Sequence, residues 1–188
     1  MQNEMLERLM DFPVIAAVKS QSGLKRALQS PCSVVFLLFG SICNIGELAE
    51  AVRSAGKLAV VHADLIDGLS PREVSARFLK ETAAADGVIS TKPQLLRCAR
   101  DLGLITVQRF FLLDSMSLEN AEKHLAESAA DFIEILPGAM PKVIRGFARK
   151  TGIPLIAGGL IADKEDVVSA LGAGATGVST TREALWFQ

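Results

Sequence analysis

Eight short apolar runs recur along this chain with helix-like segments between them, and that rhythm narrows the possible folds more than any other feature. The runs lie at Val14–Val18, Val34–Phe39, Leu58–His62, Gly87–Ile89, Leu104–Gln108, Phe132–Leu136, Pro154–Ala157 and Gly177–Ser179. Strands that show one face to water alternate polar and apolar residues. These runs hardly alternate, as expected of parallel strands covered on both faces. The segments between them carry apolar residues at helical spacing. Repeated strand–helix units make a parallel α/β architecture.

Local signals mark where helices start and stop. Ser70-Pro71-Arg72-Glu73 reads as a capping box with serine at the N-cap and proline at the first helical position, followed by a Val74, Phe78 and Leu79 stripe. Asp163 with Asp166 opens a later helix whose Val167, Val168 and Leu171 should face inward and which Gly172 should stop. Gly56, Gly103 and Gly152 sit where three more helices should end.

A parallel sheet of eight strands can stay open or close on itself. An open doubly wound sheet usually carries a glycine-rich fingerprint after its first strand. Here the first run leads into Lys19-Ser20-Gln21-Ser22-Gly23, and neither that fingerprint nor a P-loop occurs. The glycines that could hold a phosphate come late, after the seventh run. That order favours a closed (β/α)₈ barrel over residues 1–188, with loops short enough to fit a chain below the ~250 residues typical of this fold.

Composition bounds the function. With 20 Lys and Arg against 21 Asp and Glu, the net charge is −1, so nothing in bulk draws the chain to nucleic acid or an acidic membrane. A polyanion partner would need a local patch. The three cysteines, Cys32, Cys43 and Cys98, are odd in number and far apart, which fits a reducing cytoplasm better than a disulfide framework or zinc site. The acidic N-terminal stretch is not read as a signal peptide. No apolar run approaches the ~20 residues of a membrane helix. The expectation is a cytoplasmic protein without metal or cofactor.

In barrels of this type the loops after strands seven and eight often form the phosphate site. Gly158 and Gly159 follow the seventh run, and Ser179 ends the eighth with Thr180 and Thr181 directly after it. Glycines let backbone N–H groups come close to an anion, and hydroxyls at the start of a final helix add donors. The plainer alternative is a tight turn and a simple N-cap; the two signals in the right order favour phosphate. Other polar residues gather at the remaining strand ends: Lys19, His62, Asp64, Lys92, Arg109 and Glu134. They are candidates for the rest of the ligand. Individually, Lys19 and Lys92 could be rim charges, His62 a satisfied core histidine and Asp64 a turn residue. Glu134, inside a strand, needs a partner if buried, and Arg109 is favoured for that role. Lys142, Arg145 and Arg149 share one helix face and form the best patch for RNA phosphates, although such faces are commonly just solvated. No serine nucleophile elbow, H-E-x-x-H or cysteine cluster calls for an enzyme.

Read together, VHADLIDGL (Val61–Leu69), GVISTK (Gly87–Lys92), QRFFLLDS (Gln108–Ser115), EILPG (Glu134–Gly138), IAGGLI (Ile156–Ile161) and GATGVSTT (Gly174–Thr181) resemble the glycerol uptake operon antiterminator regulatory proteins. The similarity runs from about Val14 to Trp186. It implies a non-enzymatic bacterial regulator that responds to glycerol 3-phosphate and binds the leader messenger RNA of glycerol operons. The alternative is a barrel enzyme acting on a glycerol-phosphate-like or other small phosphorylated substrate. Such an enzyme could draw a metal-binding pair from Asp64 and Asp67 and acid–base groups from Lys92 and Glu134. Self-association into a homo-oligomer is left open.

Overall fold

The computed structural model describes residues 2–125, 128 and 130–188. Strands β1 (Val14–Val18), β2 (Val34–Leu37), β3 (Leu58–His62), β4 (Gly87–Ser90), β5 (Ile105–Phe111), β6 (Phe132–Leu136), β7 (Leu155–Gly158) and β8 (Gly177–Thr180) are all parallel and pair in sequence order. The barrel closes where β8 pairs with β1, Ile15 opposite Ser179. Between the strands run α2 (Gln21–Leu28), α3 (Ile45–Ser54), α4 (Glu73–Glu81), α5 (Pro93–Asp101), α6 (Ser115–Leu125), α7 (Pro141–Ala148) and α8 (Lys164–Gly172).

The alternation of strand side chains divides the interior in two. Ile15, Val34, Phe36, Val60, Ile89, Ile105, Val107, Phe132 and Ile156 point into the barrel and pack on one another. The residues between them, such as Val35, Val61, Val88, Ile133 and Val178, point outward under Leu48, Val52, Leu79, Leu95 and Ile144 of the helices. Both faces are buried, which is why the strands read as unbroken apolar runs.

A helix that the eight-fold rhythm does not foretell, α1 (Gln2–Asp11), precedes β1. Its Met5 and Leu9 join the cluster inside the barrel, and Arg8 Nη1 donates to the carbonyl of Gly56 just before β3. α1 therefore closes the N-terminal end of the barrel, leaving the C-terminal end as the mouth.

Some local expectations change. α4 begins at Glu73 with Arg72 as its N-cap and no side-chain cap. Ser70 is not the cap: its carbonyl accepts from the Ser75 hydroxyl and from Arg72 N–H, which holds it two residues before the cap. Val74 and Val168 are exposed rather than inward. Asp163 does cap α8, accepting from Asp166 N–H while Asp166 accepts from Ala162 N–H. Gly56 and Gly103 take positive φ after α3 and α5, whereas the left-handed residue after α8 is Gly174, beyond Gly172. β5 runs to Phe111, longer than its apolar run, because Arg109, Phe110 and Phe111 pair with Glu134, Ile135 and Leu136. The element after β8 is a five-residue 3₁₀ turn, Glu183–Phe187, anchored by the buried Trp186, so no long final helix offers its N-terminus to an anion.

Candidate functional site

A cavity of about 610 Å³ opens at the C-terminal mouth. Its rim comes from the loop after β7 (Gly159–Ala162) and from the end of β8 (Ser179–Arg182). Lys19 stands next to the β8 end, after the neighbouring strand β1, Leu65 comes from the β3 loop across the mouth, and Arg109, Glu134 and Leu136 complete the lining. The volume lies within the ~300–1,000 Å³ of small-molecule sites.

The rim is rich in uncommitted donors. Gly159 and Leu160 both have positive φ, +72° and +58°, a conformation that costs a leucine roughly 1–2 kcal/mol. Leu160 nevertheless lies exposed at the mouth. The N–H groups of Leu160, Ile161 and Thr181 make no hydrogen bond to other described residues. Thr180 braces the two loops: its hydroxyl donates to the Ile161 carbonyl and accepts from Arg182 N–H, while its carbonyl takes the indole N–H of Trp186. Its hydroxyl is thus spent on holding the rim together.

The base of the cavity is a buried polar chain across three strands. Glu134 Oε2 accepts from Arg109 Nε at 2.5 Å, the pairing that its position in a strand called for, and Glu134 Oε1 accepts from the Ser179 hydroxyl at 2.5 Å. Glu134 is fully buried and Arg109 is 8 % exposed. The carboxylate of β6 reaches β8 by passing over Gly158 of β7. A Cβ at Gly158 would lie 2.5 Å from Glu134 Oε1 and 2.7 Å from Ser179 Oγ. Gly158 does not line the cavity. It makes room for the chain beneath.

Charge concentrates here. Lys19, Arg109 and Arg182 line the cavity with Glu134 as the one carboxylate, giving a formal +2 in a chain of net −1. Lys19 and Arg182 are exposed and form no ion pair with the described residues. Arg182 closes the sequence segment Ser179-Thr180-Thr181-Arg182, in which the hydroxyl residues alone carry the phosphate signal. Leu160 carries no sequence signal either, since nothing in a leucine codes for positive φ.

Besides Gly158, three ligand candidates fall outside the cavity: Asp64, His62 and Lys92. Asp64 is tied to β4: Oδ1 accepts from Ser90 Oγ, and Oδ2 accepts from the N–H and hydroxyl of Thr91. Burial alone would raise its pKa, but these bonds and nearby His62 hold the carboxyl below its ordinary range. His62 is buried with Nδ1 unpartnered among the described residues, and burial together with the Arg109 charge pushes its pKa down to about 4 against the pull of Asp64. Lys92 is exposed at the N-cap position of α5, where its side chain makes no capping hydrogen bond with the described residues. No group of three or more His, Cys, Asp or Glu among the described residues could hold a metal ion. No helix of the described residues is long and apolar enough to cross a membrane.

Lys142, Arg145 and Arg149 are all exposed along α7 and its C-cap, without ion pairs to the described residues, whereas neighbouring Lys150 pairs with Glu122. The loop entering α7 is fastened to the cavity rim. Gly138 N–H donates to the carbonyls of Gly158 and Gly159, and a Cβ there would lie 2.8 Å from backbone of β7.

Comparison with known proteins places the chain in a family. The chain is 44 % identical over 182 residues to the uncharacterized protein YgcP of Escherichia coli K12, covering 97 % of this chain and 95 % of that one. The glycerol uptake operon antiterminator regulatory protein of Listeria monocytogenes superposes with a TM-score of 0.90 at 29 % identity, over 94 % of this chain and 95 % of that one. An antiterminator-related protein of Thermotoga maritima gives a TM-score of 0.82 at 33 % identity, over 92 % and 96 %. The deoxyribose phosphate aldolase of Aeropyrum pernix, at 16 % identity and TM-score 0.67 over 97 % and 94 %, shares the fold alone. Residues 14–186 match the glycerol-3-phosphate responsive antiterminator family, and the chain belongs to that family.

Proposed function

We propose that this protein is a cytoplasmic sensor of glycerol 3-phosphate that binds the leader messenger RNA of glycerol operons and lets transcription pass a terminator. The observation that carries the ligand is the cavity with its formal +2 charge and unspent N–H donors. A phosphate monoester brings a charge of about −2. It would sit on the backbone from Gly159 to Ile161 and at Thr181, close to Arg182, above the layer of Ser179 and Thr180. Lys19 and Arg109 would face the glycerol end, with Glu134 behind Arg109.

The RNA side rests on family membership and on the face of Lys142, Arg145 and Arg149, which form no ion pair with the described residues. Gly138 supplies a physical link, since it joins the β7 loop to the helix bearing those cations. If ligand tightens RNA binding, RNA must tighten ligand binding by the same factor. An electrophoretic shift with cognate leader RNA tests this. Affinity should rise on adding glycerol 3-phosphate, and the Lys142/Arg145/Arg149→Ala variant should bind more weakly with a shallower salt dependence. No ligand effect in the wild type contradicts the sensor. Unchanged RNA binding in the triple variant moves the RNA to another face.

The barrel also suits an enzyme acting on a phosphorylated substrate. Three observations weigh against an enzyme. The cavity's one carboxylate is held by Arg109 and Ser179. His62 lies outside the cavity. The buried lysine, Lys57, donates to the Ser30 and Cys32 carbonyls, remote from the lining. Turnover of a phosphorylated triose by purified protein would favour the enzyme.

A further inference from the structure

We propose that Glu134 sets the charge selectivity of the cavity: by neutralising Arg109 it makes the inner end a reader of hydroxyls and a rejector of a second anionic group. This rests on the phosphate reading above. Arg109 has five N–H donors, of which only Nε has a partner among the described residues. The Nη donors belong to a residue that lines the cavity, so they are open to a ligand rather than sealed in protein. An uncompensated guanidinium would draw a carboxylate in a bidentate fork. With a carboxylate 2.5 Å from Nε the pair carries no net charge, and a hydroxyl oxygen becomes the better-matched acceptor.

The neighbouring residues hold Glu134 in that role. Ser179 donates to its second oxygen, so both oxygens are engaged and the carboxylate cannot swing toward the ligand. Gly158 leaves the space through which it passes, where any Cβ would collide with it. These are positioning residues. The ligand class that follows is a phosphate monoester with a short, uncharged, hydroxylated tail. A phosphorylated hydroxy acid of the same length is disfavoured, because its third negative charge exceeds the +2 of the lining.

Calorimetry with glycerol 3-phosphate, 3-phosphoglycerate and methyl phosphate tests the proposal. Wild type should prefer glycerol 3-phosphate over 3-phosphoglycerate by tenfold or more. Glu134→Gln keeps acceptor and shape but leaves the Arg109 charge exposed. It should shift that ratio toward 3-phosphoglycerate by at least tenfold while methyl phosphate affinity changes less than threefold. A merely structural role would weaken all three together. An unchanged ratio in Glu134→Gln, or equal wild-type affinities for the two three-carbon ligands, overturns the inference and leaves the phosphate site standing. Failure of wild type to bind glycerol 3-phosphate overturns both. If Glu134→Gln does not fold, Arg109→Met/Glu134→Leu replaces the buried pair with hydrocarbon, and it should bind glycerol 3-phosphate no better than methyl phosphate. A retained tenfold preference there overturns the inference.

Discussion

Two polar clusters stand at the mouth of this barrel, one after β7 and β8 and one after β3 and β4, and they have spent their hydrogen bonds differently. Asp64 accepts from Ser90 and from Thr91 twice, closing the β3–β4 side on itself. On the β7–β8 side, Leu160, Ile161 and Thr181 keep their N–H groups uncommitted around a cavity that Lys19, Arg109 and Arg182 make cationic. Both clusters put polar residues at strand ends in the sequence. What separates a site from a brace is which donors remain unspent, and bond partners decide that.

The largest effect should come from the open side. Gly159→Val forces a branched side chain into φ +72° with its Cβ 3.2 Å from Leu136. Calorimetry should show glycerol 3-phosphate affinity falling tenfold or more, about 1.4 kcal/mol. Unchanged affinity would remove the β7 loop from the site.

Next comes the brace within that rim. Thr180→Val keeps the shape but strands the Ile161 carbonyl and Arg182 N–H, a loss of about 1–3 kcal/mol in stability by denaturant unfolding. Ligand affinity should fall several-fold as the two loops lose their register. A variant that is destabilised yet binds normally would show that the loops need no cross-tie.

The closed side should affect stability and leave binding alone. Asp64→Asn weakens charge-assisted bonds to Ser90 and Thr91 at a partly solvated position and should cost about 1 kcal/mol, with ligand affinity within twofold. A tenfold loss of affinity would erase the contrast between the clusters. His62 adds a pH signature. Its folded pKa of about 4 lies below the ordinary 6.5, so its contribution is complete above pH 6.5 and fades as pH falls toward 4. Wild-type melting temperature should therefore drop more between pH 7 and 5 than that of His62→Leu. Equal drops would mean that His62 protonates freely in the folded state.

The barrel is legible in the sequence because eight strands buried on both faces leave eight apolar runs, and the late glycines mark its mouth. α1 lies outside that rhythm and precedes any strand, although the i, i+4 spacing of Met5 and Leu9 marks a buried stripe. The end of β5 is hidden because Arg109 breaks the apolar run and stays in the strand only through its pairing with Glu134. That ion pair can be anticipated from a carboxylate inside a buried strand. The Ser179 bond cannot, since it skips β7 and depends on Gly158 having no side chain. The false cap at Ser70 follows from a contact with the Ser75 hydroxyl that the capping pattern does not contain.

The claim that the β7–β8 side is the ligand site is tested most directly by a crystal structure of the protein with glycerol 3-phosphate. The account predicts phosphate oxygens within hydrogen-bond distance of the N–H groups of Leu160 and Thr181, with Arg182 beside them and the hydroxyl end turned toward Arg109. A phosphate bound at the Asp64–Thr91 side, or outside the barrel mouth, would contradict it.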